Sequence, residues 1–113
     1  MKRIENYING VFTSKTKDFI PIYDPSKGEI ISEVCLSNEK DFDNVIASSQ
    51  SAFNKWSQVT PLKRSRIISK YKELIEKNIN ELAKLVSTEH GKTLEDAKGS
   101  VIRGLEVVEF ACG

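Results

Sequence analysis

The side chains of this sequence that could take part in chemistry are two cysteines, one histidine and an arginine followed by glycine. Cys35 and Cys112 fit no zinc-binding or CxxC spacing, and free cysteines are most often buried packing residues. A lone cysteine with a lone histidine, here Cys112 with His90, matches a nucleophile and its base in composition only. We therefore predict no catalytic residue and no metal site among these three residues.

Arg103 has two interpretations. A guanidinium group pairs with a planar carboxylate through two parallel hydrogen bonds, so Arg103 could bind an acidic ligand. Gly104, which follows it, could let that ligand approach closely. Alternatively, Arg103 faces solvent or pairs with Glu106 or Glu109, which lie at helical spacing. The residues alone favour the second interpretation, because most helix arginines lie at the surface.

The elements that must position these residues begin with strands and turns. Asn9-Gly10 between short apolar runs predicts a hairpin with a type I′ turn. A strand is predicted over residues 19–23, a turn over 24–28 and a further strand over 29–34. Because proline has no N–H to donate, Pro21 places its strand at an edge or an end of the sheet.

From residue 37 onward the apolar period is helical and predicts about four helices. Gly91 ends the third, and the residues that begin the four helices are Ser37 or Asn38, Thr60-Pro61, Asn78 or Asn80, and Thr93. We expect the apolar side of each helix to be buried. The apolar residues of the first two helices include Phe42, Phe53, Trp56, Ile67, Tyr71 and Leu74. Those of the fourth helix are Leu94, Ala97, Val101, Leu105 and Val108.

Length and charge limit the classes of function that this sequence can have. The 113 residues carry 17 Lys and Arg against 16 Asp and Glu, a net charge of +1. That balance argues against a nucleic-acid-binding surface, which needs a basic excess. No window is apolar enough for a membrane span, and the first residues do not match a secretory signal, so we predict a cytoplasmic protein.

An ordered set of motifs resembles the amino-terminal part of aldehyde dehydrogenases. These motifs are Tyr7-Ile8-Asn9-Gly10, Asp24-Pro25, the segment 52–56, Arg64-x-Arg66 and Glu89-His90-Gly91-Lys92. The segment 92–99, followed by Arg103-Gly104-Leu105 and the residues to 111, is similar to the CoA-acylating methylmalonate-semialdehyde branch of that family. Hydrolytic members usually lack the Arg-Gly pair.

The resemblance implies an α/β parent fold that is Rossmann-like, of which this chain is a small β-hairpin portion followed by about four helices. Residues 1–113 would be an incomplete amino-terminal part of the cofactor-binding domain, with no internal boundary. The complete enzyme would use NAD and coenzyme A, assemble as a homo-oligomer, and convert a methylmalonate or malonate semialdehyde to propionyl-CoA or acetyl-CoA. Arg103 would grip the carboxylate of the substrate.

The same resemblance places the catalytic cysteine and the dinucleotide site beyond residue 113. We therefore expect the segment alone to bind neither cofactor and to be inactive. Two alternatives remain open: part of a hydrolytic NAD(P)-dependent aldehyde dehydrogenase, and a non-catalytic helical module that binds a partner through its apolar faces.

Overall fold

A computed structural model describes all 113 residues. The contacts within the chain divide it into two units, Met1–Gln58 and Val59–Gly113. The sequence predicts no boundary at this position. A division into two compact units does not decide whether the segment belongs to one cofactor-binding domain, so that assignment stays a prediction.

The hairpin near the amino terminus forms as predicted. Strands β2 (Asn6–Ile8) and β3 (Val11–Thr13) pair antiparallel in a two-stranded sheet. The turn between them has φ of 52° at Asn9 and 77° at Gly10, the two positive values that a type I′ turn requires. Tyr7 lies opposite Phe12, with ring centroids 5.0 Å apart.

A second, three-stranded sheet contains β1 (Lys2–Ile4), β4 (Phe19–Asp24) and β5 (Glu29–Cys35), with β5 in the centre. Strand β4 is an edge strand, which confirms the prediction from Pro21. Strand β1 pairs parallel with β5 and was not predicted, since three residues are too few to show an alternating pattern. Arg3 lies opposite Glu33 and forms an ion pair with it at 3.2 Å.

Helix α1 (Glu39–Trp56) begins with a reciprocal cap. The Asn38 side chain accepts a hydrogen bond from the Asp41 N–H, and the Asp41 carboxylate accepts one from the Asn38 N–H. The predicted burial of the aromatic side of α1 is wrong for this chain. Phe42, Phe53 and Trp56 are 62%, 60% and 39% exposed, because no other element of the first unit covers them.

The second unit contains helices α2 (Pro61–Lys77), α3 (Ile79–His90) and α4 (Leu94–Ala111). Thr60 and Thr93 cap α2 and α4 through their hydroxyl groups, as predicted. Asn78 precedes α3 but makes no side-chain cap; its amide instead donates to the Leu74 carbonyl. Gly91 ends α3 with φ of 81°, the left-handed value that favours glycine.

Helix α4 packs against both α2 and α3 within this unit. Ala83 of α3 and Ala97 of α4 are buried, and their small side chains let the helices approach closely. Ala97, Val101, Leu105 and Val108 form the inner row of α4 as predicted, but Leu94 is exposed. None of the four helices in the chain has the length and apolar composition needed to cross a membrane.

The predicted buried side of α2 is wrong in part. Ile68 and Ile75 are half-buried, whereas Ile67, Tyr71 and Leu74 are exposed. The reason is that α2 meets α4 through polar side chains on a neighbouring face. Ser65 donates to the Cys112 carbonyl at 2.6 Å, and Lys72 lies 3.8 Å from Glu109. The helix is therefore rotated so that three of the five residues in its apolar row point outward.

Candidate carboxylate-binding site

Arg103 lies on the exposed side of α4, the helix that Thr93 caps. One of its guanidinium nitrogens, Nη2, donates to the Ser100 hydroxyl at 3.1 Å. Ser100 is three residues earlier, so the bond joins neighbouring turns of one helix face. This hydrogen bond fixes the position of a side chain that would otherwise have many rotamers.

A second cation reaches the same hydroxyl. Lys92 Nζ donates to Ser100 Oγ at 3.0 Å, and Ser100 Oγ lies 3.3 Å from the Asp96 carbonyl, to which it donates. A hydroxyl group has one proton and two lone pairs, so these three hydrogen bonds use all of its capacity. Ser100 therefore holds Lys92 and Arg103 side by side.

The backbone before α4 explains how Lys92 comes to this place. Gly91 adopts the left-handed conformation that ends α3, and the chain turns there. The Ser87 hydroxyl donates to the Lys92 carbonyl at 2.6 Å and so fixes the first residue after the turn. Thr93 then starts α4, and the half-buried Lys92 side chain runs along it to Ser100.

Neither cation is paired with a carboxylate. The ion pairs of the structure are Arg3–Glu33, Lys72–Glu76 and Lys72–Glu109. Glu109, a predicted alternative partner of Arg103, thus pairs with Lys72, and Glu106 pairs with no cation. Hydrogen bonding to Glu76 is the main cause that raises the pKa of Lys72, and Glu109 adds to it. Arg103 therefore pairs with neither predicted glutamate and is exposed to solvent, as the other form of that alternative predicts. Its role in binding substrate stays a prediction.

The two glycines of α4 border this face differently. A Cβ atom at Gly99 would lie 3.7 Å from Arg103 Nη1, an ordinary contact distance. A Cβ atom at Gly104 would meet nothing within 4 Å. Packing inside the segment therefore does not require glycine at position 104.

The cysteines and the histidine do not form a catalytic group. Cys35 is buried in the sheet, and Cys112 is half-buried, with its thiol directed to the Val108 carbonyl at 3.4 Å. The burial of Cys35 agrees with the packing role predicted for it, and the role of Cys112 stays a prediction. His90 is exposed at the end of α3. No three His, Cys, Asp or Glu side chains are arranged to hold a metal ion.

Asp41 in the first unit is a buried carboxylate, but its oxygens are occupied by backbone groups. It accepts hydrogen bonds from the N–H groups of Lys15, Thr16 and Asn38, and these bonds, above all that from Lys15, lower the pKa of the carboxyl group. A groove of about 440 Å³ passes between Asp41, Tyr7 and Phe42. Since Asp41 is fully engaged, its role is to hold the loop after β3 against α1.

The expectation that the dinucleotide site lies outside this segment stays a prediction. Phosphates bind at helix N-termini that follow a glycine-rich turn. In this segment the starts of α1, α2 and α4 are each closed by a cap side chain, and α3 follows directly from α2 through Asn78.

The sequence predicts Arg103 as a candidate site residue, but its neighbours Lys92 and Ser100 were not predicted. Ser100 could have been found from its spacing of three residues before Arg103 on a helix face. Lys92 could not, since it precedes the helix and its direction depends on the turn at Gly91.

Proteins similar to this chain are found both by sequence and by structure. A model of the aldehyde dehydrogenase family matches residues 12–113. Malonate-semialdehyde dehydrogenase of Bacillus pumilus (strain SAFR-032) is 41% identical over 114 residues, which cover 100% of this chain and 24% of that protein. The mitochondrial acylating methylmalonate-semialdehyde/malonate-semialdehyde dehydrogenase of Homo sapiens is 41% identical over 110 residues, covering 96% and 21% of the two chains.

A solved structure shows the same fold. A protein from Sinorhizobium meliloti 1021, described as a methylmalonate-semialdehyde dehydrogenase and crystallised with NAD, superposes with a TM-score of 0.96 at 37% identity. The match covers 100% of this chain and 23% of that one. The chain thus spans about a quarter of the length of the relatives it matches.

Proposed function

Because this chain belongs to the aldehyde dehydrogenase family, we propose that it is the amino-terminal part of an NAD-dependent, CoA-acylating (methyl)malonate-semialdehyde dehydrogenase. The names of the relatives support the substrate class, and the NAD in the Sinorhizobium complex supports the cofactor. The products would be propionyl-CoA from methylmalonate semialdehyde and acetyl-CoA from malonate semialdehyde, each with loss of the substrate carboxylate as carbon dioxide. The expected contribution of this segment is to bind the substrate, not to perform the reaction.

The observation that carries this proposal is the unpaired guanidinium group of Arg103. It lies on the exposed side of α4, is held by the Ser100 hydroxyl at 3.1 Å, and forms no ion pair. A guanidinium group with free N–H donors binds a carboxylate through two parallel hydrogen bonds. Semialdehydes of this class carry a carboxylate, which ordinary short aldehydes lack.

The chemical steps belong to other parts of the proposed enzyme. In such a reaction a cysteine thiolate would attack the aldehyde carbon, NAD would accept the hydride, the substrate carboxylate would leave as carbon dioxide, and coenzyme A would accept the remaining acyl group. The family resemblance places that nucleophile beyond residue 113, so we expect neither Cys35 nor Cys112 to serve as it. We accordingly expect the 113-residue chain alone to produce no NADH.

The substitution Arg103→Leu in the complete enzyme tests the proposed role. Loss of one charged hydrogen-bonding partner is expected to raise KM for malonate semialdehyde by about tenfold or more relative to KM for propanal. Steady-state kinetics with both aldehydes measure this ratio. Arg66→Leu is the matched control, because Arg66 is also an exposed helix arginine without an ion pair. If Arg103→Leu changes both KM values equally, Arg103 does not bind the carboxylate.

The acylating enzyme and the hydrolytic alternative differ in the molecule that accepts the acyl group. An acylating enzyme returns to its free state by transferring the acyl group to coenzyme A, so steady NADH production should require added coenzyme A. A hydrolytic enzyme uses water and needs none. Steady turnover of the complete enzyme without coenzyme A would contradict the acylating assignment.

The remaining parts of the proposal concern assembly and location. We propose that the complete enzyme is a cytoplasmic homo-oligomer. The exposed apolar sides of α1 and α2 are then surfaces that other parts of the same protein cover, rather than the partner-binding faces of an independent helical module. Their residues include Phe42, Phe53, Ile67, Tyr71 and Leu74.

A further inference from the structure

Lys92 and Arg103 bring two positive charges to one hydroxyl group. Their nitrogens lie 3.0 and 3.1 Å from Ser100 Oγ, and neither is within 4.0 Å of a carboxylate oxygen. Like charges at such short separation repel each other, and an anion between them would remove the repulsion. The arrangement is therefore more favourable when an anion is bound.

Lys92 and Arg103 both keep N–H donors that do not bind Ser100. An ammonium group has three N–H donors and a guanidinium group has five, and each gives one to the Ser100 hydroxyl. Two donors on Lys92 and four on Arg103 remain for a ligand. A carboxylate has two oxygens, so one oxygen can face each cation.

We propose that Lys92 is the second cation of the site in which Arg103 binds the substrate carboxylate, and that Ser100 is a positioning residue that holds both. This inference rests on the proposed function. The ligand class is a short-chain carboxylate whose two oxygens bridge the ammonium and guanidinium groups. Ser100 makes no contact with the substrate, because the two cations and the Asp96 carbonyl already use its hydroxyl.

The turn at Gly91 determines where the Lys92 side chain starts. The hydrogen bond from Ser87 Oγ to the Lys92 carbonyl, 2.6 Å long, fixes the backbone from which the lysine side chain starts. A side chain that starts at a fixed backbone position loses less entropy when it is held at Ser100. The two cations are thus pre-organised before substrate arrives, which favours binding.

The experiment compares variants of the complete enzyme with two aldehydes. Lys92→Met, Lys92→Gln and Lys92→Arg alter the second cation, and Lys98→Met is the control, since Lys98 is an exposed lysine of α4 that does not contact Ser100. The quantity measured is the ratio of KM for malonate semialdehyde to KM for propanal. We expect about a tenfold rise in this ratio for Lys92→Met and Lys92→Gln, and about a twofold change or less for Lys92→Arg and Lys98→Met.

Ser100 is tested by the same ratio. Ser100→Ala should raise it, because both cations lose their shared partner, whereas Ser100→Thr should restore it, since threonine keeps the hydroxyl. A merely structural role for Ser100 would lower thermal stability without changing the preference between the two aldehydes. A ratio unchanged in Ser100→Ala would overturn the positioning role.

The outcomes separate this inference from the proposed function. If Arg103→Leu raises the ratio but both neutral Lys92 variants behave like Lys98→Met, Lys92 is not part of the site and the proposed function stands. If Arg103→Leu leaves the ratio unchanged, the proposed binding role of Arg103 fails. If one neutral Lys92 variant does not fold, the other carries the test.

Discussion

Asp24 and Asp41 show how single residues of this chain control local structure through hydrogen bonds to carboxylates. Asp24 accepts from the hydroxyl and the N–H of Ser26, at 2.6 and 2.9 Å, and the hydroxyl bond is the main cause that lowers its pKa. Asp41 accepts from three backbone N–H groups and connects the loop after β3 with the start of α1. Both sets of hydrogen bonds favour the charged form of the carboxylate over the protonated form.

Asp41 gives a prediction for pH dependence. Its pKa is lower in the folded chain than in the unfolded chain, so its stabilising effect is present above about pH 4 and is lost as pH falls through the lower folded value. We expect Asp41→Asn to lower the melting temperature at pH 7 and to flatten its fall below pH 4. Thermal denaturation followed by circular dichroism from pH 3 to pH 7 measures both effects.

Asp43→Asn is the control for this prediction, because Asp43 lies on the same helix and is exposed. It should leave the melting temperature at pH 7 nearly unchanged. The assignment fails if the two variants give the same curve, since Asp41 would then add nothing that depends on its charge.

The helices illustrate how element ends and element faces follow different rules. The starts at Thr60 and Thr93 and the end at Gly91 follow from local hydrogen bonds and from one positive φ angle, so the sequence predicts them well. The face that each helix buries depends on which other elements are near. In α2 the polar contacts of Ser65 and Lys72 with α4 decide which face is buried, and three of the five residues in the apolar row are exposed.

The glycines at the end of α3 and inside α4 give opposite predictions. Gly104→Ala should raise the free energy of unfolding of the chain by about 1 kcal/mol, since alanine favours a helix interior and its Cβ meets nothing within 4 Å. Gly91→Ala should lower it by about 1 kcal/mol, because the φ of 81° is strained for alanine. Urea denaturation of both variants measures the two shifts. A lower stability of Gly104→Ala would contradict the open space beside that position.

At the scale of the whole molecule, the segment exposes more large apolar side chains than a monomeric protein of this size usually does. Only Cys35, Ala83 and Ala97 are buried among its apolar residues. The chain covers 24% of the length of its Bacillus pumilus relative. If the segment is part of a complete dehydrogenase, the remaining chain should bury faces that are open here.

Phe53 tests this expectation, since its side chain is 60% exposed in the segment. We expect Phe53→Ala to change the stability of the 113-residue chain by less than about 0.5 kcal/mol and to destabilise the complete protein by about 3 kcal/mol or more. Denaturant midpoints of the 113-residue chain and of the complete protein measure the two effects. Lys55→Ala is the control, because Lys55 is exposed. Equal small effects in the two settings would show that Phe53 stays uncovered.

The sequence by itself determined the hairpin at Asn9-Gly10, the edge position of β4, the four helices and the family, because these depend on local φ preferences, caps and ordered motifs. Only the tertiary structure decided that β1 pairs with β5 and that Lys92 shares Ser100 with Arg103. Strand pairing over long sequence separations and the direction of a side chain after a turn depend on distant atoms. A local pattern carries no information on them.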